Sequence, residues 1–554
     1  MHSRRTPRVR LAVLACAIAA LSACTKVGTE SAGAGGAHPW THHGRLVIAS
    51  ASDPKNLDPV LASQIPTLDL AMFVFSWAVR YDDRARPVAD ALAEIPTLAN
   101  GGVSRDGLTL RYRLRPNMKW HDGAPVTSKD FWFTWRVVMN PHNNVVTTDG
   151  YKDIASIDYS DPLVAVIHMR KIYAPFLQQL FAPNGNAPIL PEHLLAAVND
   201  DKGSFNRDPY QAKPIGSGPF QVVAWDRGSD VRLKAFDGYF LGKPKLNEVV
   251  YQILPDENTL LTQMRAHEID LAFNIPASEY PEFKAIPGVV TIVPPVYTYD
   301  HVDFNLRRPL LGDVRMRRAL TYAIDRPAIV AKIDHGLGDL APADESPVIG
   351  SAYDPYVARY TYDPAKARAM LEAMGWKAGP DGVRVRAGQR LSFTLSTQTE
   401  STHGHAIQAF IQRGWHDVGV EAVIKNAPTS LFFDNSANGV LQGGHYDVAT
   451  FAWSGAADAD DSAIYSGENF APHGQNALFW NDPVATRAMD DALATVDPSR
   501  RRRDYFIVQQ QLASEVPTVI INFRREPVAY NSDLKGFTSS PVISRFWNTW
   551  EYSI

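Results

Sequence analysis

Cysteine is almost missing. The 554-residue chain has two, Cys16 and Cys24, and none after residue 24. A disulfide framework, a cysteine-ligated zinc centre and a thiol nucleophile are thereby excluded from the rest of the chain. Such thiol avoidance suits export into an oxidising compartment. Beyond the first two dozen residues, no stretch is long and apolar enough to cross a bilayer. HExxH, G-x-S-x-G, a Walker loop and paired zinc-ligand motifs are absent. No local pattern therefore announces catalysis, although a triad assembled from dispersed Ser, His and Asp residues stays open. Positive charge is not in excess either. The formal charge is −4, and setting aside the four arginines of the first 23 residues leaves about −8. That balance argues against a nucleic-acid partner.

Cofactor and metal patterns fail one by one. Gly216-Ser217-Gly218 lacks the GxGxxG spacing and leads into a strand. His403-Gly404-His405 has no third fixed ligand, and His38, His42 and His43 lie in a Gly/Ala-rich linker. The acidic run after Trp453 lacks the glycine and terminal glutamate of a calcium loop. No cofactor and no metal are expected. What remains is 45% apolar and 21% charged, the composition of an ordinary folded protein long enough to bury large cores.

The chain begins with Arg4, Arg5, Arg8 and Arg10, then LAVLACAIAALSA, then Cys24. Basic residues, a short apolar core and small residues make a secretory signal over 1–23. Residues 24–44 read as a flexible tether. Further on, Leu108, Leu110, Tyr112 and Leu114 alternate with polar residues, which predicts a half-buried strand. Asp122-Gly123 supplies a turn. Thr127 with Asp130 three residues later predicts a helix N-cap, the helix running to Asn140 before Pro141. Residues 67–80 are apolar enough for a buried helix. Residues 154–168 and the stretch after Phe220 predict hairpins. Asp313, Asp325 and Asp363 sit where helix caps belong. Arg500 to Arg503 read as a solvated helix face, with a permease-docking or membrane-headgroup patch as the alternative. Strands and helices interleave without a regular period, which favours mixed α/β sheets in more than one lobe.

Several of these stretches carry a resemblance. KWHDG within LRPNMKWHDGAPVTSKDFWFTW, the turn PIGSGPF, and FNLRRPLLGDVRMRRALTYAIDR are similar to the signatures of solute-binding protein family 5. Its members are the oligopeptide- and dipeptide-binding receptors of bacterial ABC importers. Leu21-Ser22-Ala23-Cys24 looks like a lipobox, which implies lipidation of Cys24. The resemblance runs from about Arg45 to Tyr530. It implies an α/β, two-lobed periplasmic-binding-protein-like fold with mixed sheets, a two-segment hinge and an extra small insert domain. Carried over, lobe I would comprise 45–85, 205–302 and 518–554, the insert 86–204 and lobe II 303–517, with the hinge near Tyr299–Phe304 and Val516–Ile521.

The implied function is non-enzymatic: capture of peptides, or a similar small solute, between the lobes and delivery to an ABC permease and ATPase complex. The protein would be an exported monomer held to a membrane by its lipid anchor. Implied ligand contacts are Ser63 and Gln64 from the first lobe and Trp453, Ser454, Gly455 and Asp458 from the second, with Asn274 and Asn305 beside them. In many peptide-binding relatives a carboxylate three residues after this tryptophan accepts the peptide's ammonium group. Here that position is Ala456. Asp458 matches a variant pattern, and it reads either as an ammonium acceptor or as part of a solvated acidic loop. Receptors of the same fold for nickel chelates or sugars, and an exported hydrolase, are the alternatives.

Overall fold

The computed structural model describes residues 37–350, 352–542 and 544–554. The expected signal peptide, Cys24 and most of the expected tether lie outside them. Among the described residues, no helix is long and apolar enough to cross a membrane.

Two sheets organise the chain from His42 onward. The first has seven strands, in the order Val289–Ile292, Val528–Asn531, Leu271–Ala272, Arg45–Ser50, Glu248–Ile253, Asp230–Ala235 and Phe220–Asp226. Its central strand RLVIAS runs parallel to Glu248–Ile253, with Val47 opposite Val250. That strand is apolar on both faces because both are covered. Leu46 and Ile48 enter one core with Phe73, Trp77 and Phe220, whereas Val47 and Ala49 enter another with Leu260 and Met264. The second sheet has six strands, in the order Gly338–Asp339, Thr518–Arg525, Pro295–Phe304, Val448–Ser454, Ser392–Ser396 and Glu421–Ile424. Val302, Leu320, Leu395, Ile411 and Trp415 fill its separate core.

The chain passes between the sheets at other points than those expected. Pro295–Phe304 pairs with Val448–Ser454 and with Thr518–Arg525. Residues 295–302 and 518–525 therefore belong to the second lobe's sheet. The crossings fall at Val293-Pro294 and Glu526-Pro527, and the Glu526 N–H donates to the Pro294 carbonyl at 3.2 Å. Proline has no N–H to give a ladder, so strands end where Pro294 and Pro527 stand. A break inside Pro295–Phe304, at the expected hinge, would instead have cost paired hydrogen bonds.

The segment between 86 and 204 carries its own three-stranded sheet of Thr109–Arg113, Val164–Met169 and Ile154–Asp161. Its buried side chains Tyr112, Phe131 and Phe181 run into the first lobe's core without a boundary. Helix Ser128–Val138 begins at Thr127, whose N–H donates to the Asp130 carboxylate at 2.8 Å. The helix ends two residues short of Asn140. Two of the motifs singled out in the sequence meet here. His121 of KWHDG accepts the Gly216 N–H on Nδ1 at 3.1 Å, and its Nε2 lies 3.0 Å from the Gly218 carbonyl, so the proton is on Nε2. The GSGPF turn lies flat on the end of helix Ile65–Val74. A Cβ on Gly216 would stand 1.9 Å from the Val74 oxygen, which only glycine avoids. That helix is shorter than the expected 67–80. Arg80, 1% exposed, holds its last carbonyls by donating to Met72 and Phe75 at 2.8 and 3.0 Å, and pairs with Asp90 at 2.8 Å.

In the second lobe Asp313, Asp325 and Asp363 each cap a helix as expected. Arg317 is fully used within the lobe, donating to the carbonyls of Leu311, Gly312, Glu515 and Val516. Arg317 thus ties helix Val314–Tyr322 to the loop before it and to the C-terminal end of helix Pro498–Glu515.

Candidate functional site

A cleft of about 1010 Å³ opens beside the two crossings and is walled by both lobes. Helix Ile65–Val74 brings Asp69 to it, and Ser63 stands just before that helix. The C-terminal segment adds Ser540, Ser544 and Arg545. The second lobe supplies Tyr297 and Thr298 from one strand, and Ser454 and Gly455 from the next. Thr298 and Ser454 face each other across the ladder with their hydroxyl oxygens 3.0 Å apart. The Gly455 N–H donates to the Tyr297 carbonyl at 2.8 Å, and a Cβ there would lie 2.3 Å from the Tyr297 ring. Gly455 is thus what lets the tyrosine lie over the chain.

Three charged groups line the cleft. Asp69 is 2% exposed and accepts from the Tyr251 hydroxyl at 3.1 Å, with the Arg545 Nη1 at 3.7 Å. Burial pushes its carboxyl up to about 6, with Arg545 pulling the other way. Arg545 also donates to Glu526 at 3.2 Å and to the Asn274 Oδ1 at 2.8 Å, and stacks over the Phe273 ring at 4.7 Å. With all three groups ionised, the walls carry one net negative charge. Behind the cleft, the Tyr297 hydroxyl donates to Glu345 at 2.7 Å. Burial raises the Glu345 carboxyl, as does Asp344 beside it.

The eight residues expected at the site separate. Ser63, Ser454 and Gly455 line the cleft. Asn274 reaches it only through Arg545. Gln64 accepts the Lys55 N–H at 2.9 Å and stands outside the lining. Asn305 is 1% exposed and holds the Gly444 and Tyr446 carbonyls at 3.2 and 2.9 Å, a bracing role inside the second lobe. Trp453, whose side chain points opposite to that of Ser454, lines a different cavity of about 770 Å³.

Asp458 stands apart from the cleft, paired with an arginine. Its two oxygens take both terminal nitrogens of Arg501 at 2.6 Å, and Oδ1 also accepts from the Tyr505 hydroxyl at 3.1 Å. It borders a third cavity of about 1110 Å³, between the insert and the second lobe. Its negative charge is already met. The arginine run 500–503 accordingly turns Arg501 inward, with Arg502 at the edge of the same cavity, and is not wholly a solvated face. His403 lies 3.3 Å from Asp300, which Arg524 clasps at 2.9 and 2.6 Å, and 3.6 Å from Asp334; no local pattern in the sequence marks these two carboxylates beside it.

Sequence reasoning missed Asp69, Glu526 and Arg545. A lone acid inside TLDLAMFVF was a usable signal for Asp69, since an acid in a buried apolar helix needs a partner. Nothing local marks Arg545.

A family model described as bacterial extracellular solute-binding proteins, family 5 Middle, matches residues 93–471. The oligopeptide-binding protein AppA of Bacillus subtilis is 26% identical over 561 residues, covering 99% of each chain. Its structure in complex with a nonapeptide superposes with a TM-score of 0.73, at 24% identity over 92% of this chain and 98% of that one. The glutathione-binding protein GsiB of Salmonella typhimurium is 28% identical over 90% of this chain and 92% of its own. NikZ of Campylobacter jejuni in complex with Ni(L-His) superposes with a TM-score of 0.75, at 24% identity over 93% of this chain and 100% of that chain. The periplasmic-binding-protein fold follows from these superpositions. This chain is a member of family 5 of the bacterial extracellular solute-binding proteins, receptors rather than enzymes.

Proposed function

We propose that this protein captures peptides, or closely similar small solutes, in the cleft between its lobes and hands them to the permease and ATPase complex of an ABC importer. The observation that carries this reading is the cleft itself, with Ser63, Asp69 and Arg545 on one wall and Thr298, Ser454 and Gly455 on the other. The part of it open to a water-sized sphere, about 340 Å³, lies at the lower end of small-ligand sites, roughly 300–1,000 Å³. A solute touching both walls favours the closed arrangement over the open one, because only the closed arrangement makes both sets of contacts. Backbone-to-backbone pairing at strand ends reads a peptide without regard to its side chains. The printed descriptions of AppA, as an oligopeptide-binding protein and with a nonapeptide bound, support the peptide class.

One observation favours a second reading within the same fold. Ala456 stands where many peptide-binding relatives have a carboxylate, and Asp458 is taken up by Arg501. A blocked peptide or a non-peptide solute fits such a site as well as a free amino terminus does. Calorimetry of ligand-stripped protein with tetra-alanine, N-acetyl-tetra-alanine and a nickel–histidine chelate separates the two. Binding of either tetrapeptide supports the first reading; binding of the chelate alone overturns it. Export and lipid attachment at Cys24 belong to the same proposal. Mass spectrometry of the amino terminus from the native host tests them: a diacylglyceryl group on Cys24 supports the anchor, and an unmodified cysteine removes it.

A further inference from the structure

The strand Pro295–Phe304 borders two cavities in succession. Tyr297 borders the cleft. Tyr299, His301 and Asp303, at two-residue steps on the same face, border the cavity of about 770 Å³ inside the second lobe. Tyr299 is two residues from Tyr297, about 7 Å along a strand. A lysine or arginine side chain spans that distance.

This cavity is not a simple packing gap. Tyr299, Phe433, Phe451 and Trp453 give it aromatic walls. Among those rings, buried polar atoms go unanswered. His301 is 3% exposed and its Nε2 has no hydrogen-bond partner. Asp303 is 5% exposed, and its Oδ1 lies 3.0 Å from the His301 Nδ1 but out of hydrogen-bond alignment. Among the described residues, no lysine or arginine lies within 4.0 Å of that carboxylate. The Gln442 Oε1 is likewise unpaired. The His301 Nδ1 lies 3.4 Å from the Thr518 hydroxyl oxygen, whose own proton goes to the Val302 carbonyl at 3.3 Å; the ring proton is therefore on Nδ1, which leaves Nε2 as a lone-pair acceptor. The cavity therefore presents three acceptors, one negative charge and four aromatic rings. Buried acceptors without a donor are costly, and aromatic faces attract cations.

We propose that this cavity is the pocket for a basic group, an ammonium or guanidinium, on the solute whose main body lies in the cleft. The proposal rests on the cleft being the solute site, and it names the chemistry that the second lobe selects. Trp453 then serves the solute from the pocket, while Ser454 serves it from the cleft.

The test uses calorimetry with the ligand-stripped full chain. Its probes are tetra-alanine and derivatives in which each position in turn carries lysine or norleucine, which differ in the terminal ammonium. At one position lysine should bind at least tenfold tighter than norleucine. Asp303→Asn should bring that ratio to within twofold of one. Gln442→Leu, at a half-buried loop position, should lower it about threefold, so the test does not hang on a substitution inside a strand. Absence of any lysine-preferring position overturns the proposal, as does a preference that survives both substitutions. If no tetrapeptide binds, the peptide reading fails, and n-pentylammonium decides the pocket on its own. A rise in the unfolding midpoint of the wild type that both variants lose sustains the pocket; no rise in the wild type overturns it.

Discussion

Replacing Asp458 by asparagine keeps the shape of the side chain and removes its charge. Arg501 is then left 16% exposed, facing a neutral group in place of a bidentate carboxylate whose oxygens sit at 2.6 Å. Breaking a buried pair by removing one partner costs about 3–5 kcal/mol, because the remaining charge stays desolvated. Slight exposure places this site at the lower end, about 3 kcal/mol. Arg501→Met should cost about as much, since Asp458 then keeps only the Tyr505 hydroxyl at 3.1 Å. With both substitutions the losses should fall short of additivity by about 2 kcal/mol, the coupling expected of neighbours that share one interaction. Urea unfolding of the four proteins, followed by tryptophan fluorescence, reads these differences. A functional arm runs beside it. Asp458→Asn should change the affinities for tetra-alanine and N-acetyl-tetra-alanine by the same factor. A stability loss below about 1 kcal/mol would refute the structural assignment of the pair. A variant that binds free tetra-alanine tenfold or more weakly, yet spares the acetylated form, would show that Asp458 receives an ammonium after all. A lost charged hydrogen bond is worth about that much, roughly 1.5–3 kcal/mol.

Three further outcomes follow from the same geometry. Burial pushes the fully buried Asp58 carboxyl up to about 7. An acid raised on folding costs stability as pH climbs from about 4 to about 7, so Asp58→Asn should gain up to roughly 4 kcal/mol at pH 8 and almost nothing at pH 4, read by denaturation at both. Burial holds His121 down to about 4, so the ring stays neutral in the folded protein. Its contribution is complete above pH 6.5 and is lost as pH falls toward 4. Carbon-13 shifts of histidine should show this ring titrating last, and His121→Gln should flatten that limb of the stability profile. Gly455→Val forces a side chain into the Tyr297 ring at a built distance of 2.3 Å. It should cost about 1–3 kcal/mol and at least tenfold in tetra-alanine affinity, by unfolding and calorimetry.

What could be read from the sequence was mostly short in range. The capping box at Thr127, the aspartate helix caps and the hairpins are set by neighbours within a few residues, and the structure has them. His121 and Gly216 were both visible as motif residues, but their contact joins positions 95 residues apart and no periodicity encodes it. The same limit explains Asp458. Its local context reads as a loose acidic loop, while its partner arrives from a helix 43 residues later. Pro294 and Pro527 mark the passages between the two sheets in plain sight, whereas the hinge expected from the resemblance at Tyr299–Phe304 falls inside a strand that pairs without a break with Val448–Ser454. Asn305 is flanked by a strong motif, but the two carbonyls its amide braces lie about 140 residues away, beyond any local pattern. Arg545 had no local mark, because it reaches the cleft only through the return of the C-terminal segment to the first lobe.

The central claim is that a polar guest sits between two walls and is released unchanged. Native mass spectrometry of the protein purified from its own host, followed by denaturation and analysis of what comes free, tests it most directly. One equivalent of intact small solute, peptides foremost, should come free from the wild type and none from Gly455→Val. A protein that carries nothing under these conditions and binds no peptide or chelate offered to it is no receptor of this kind, and recovery of cleaved products would make it an enzyme instead.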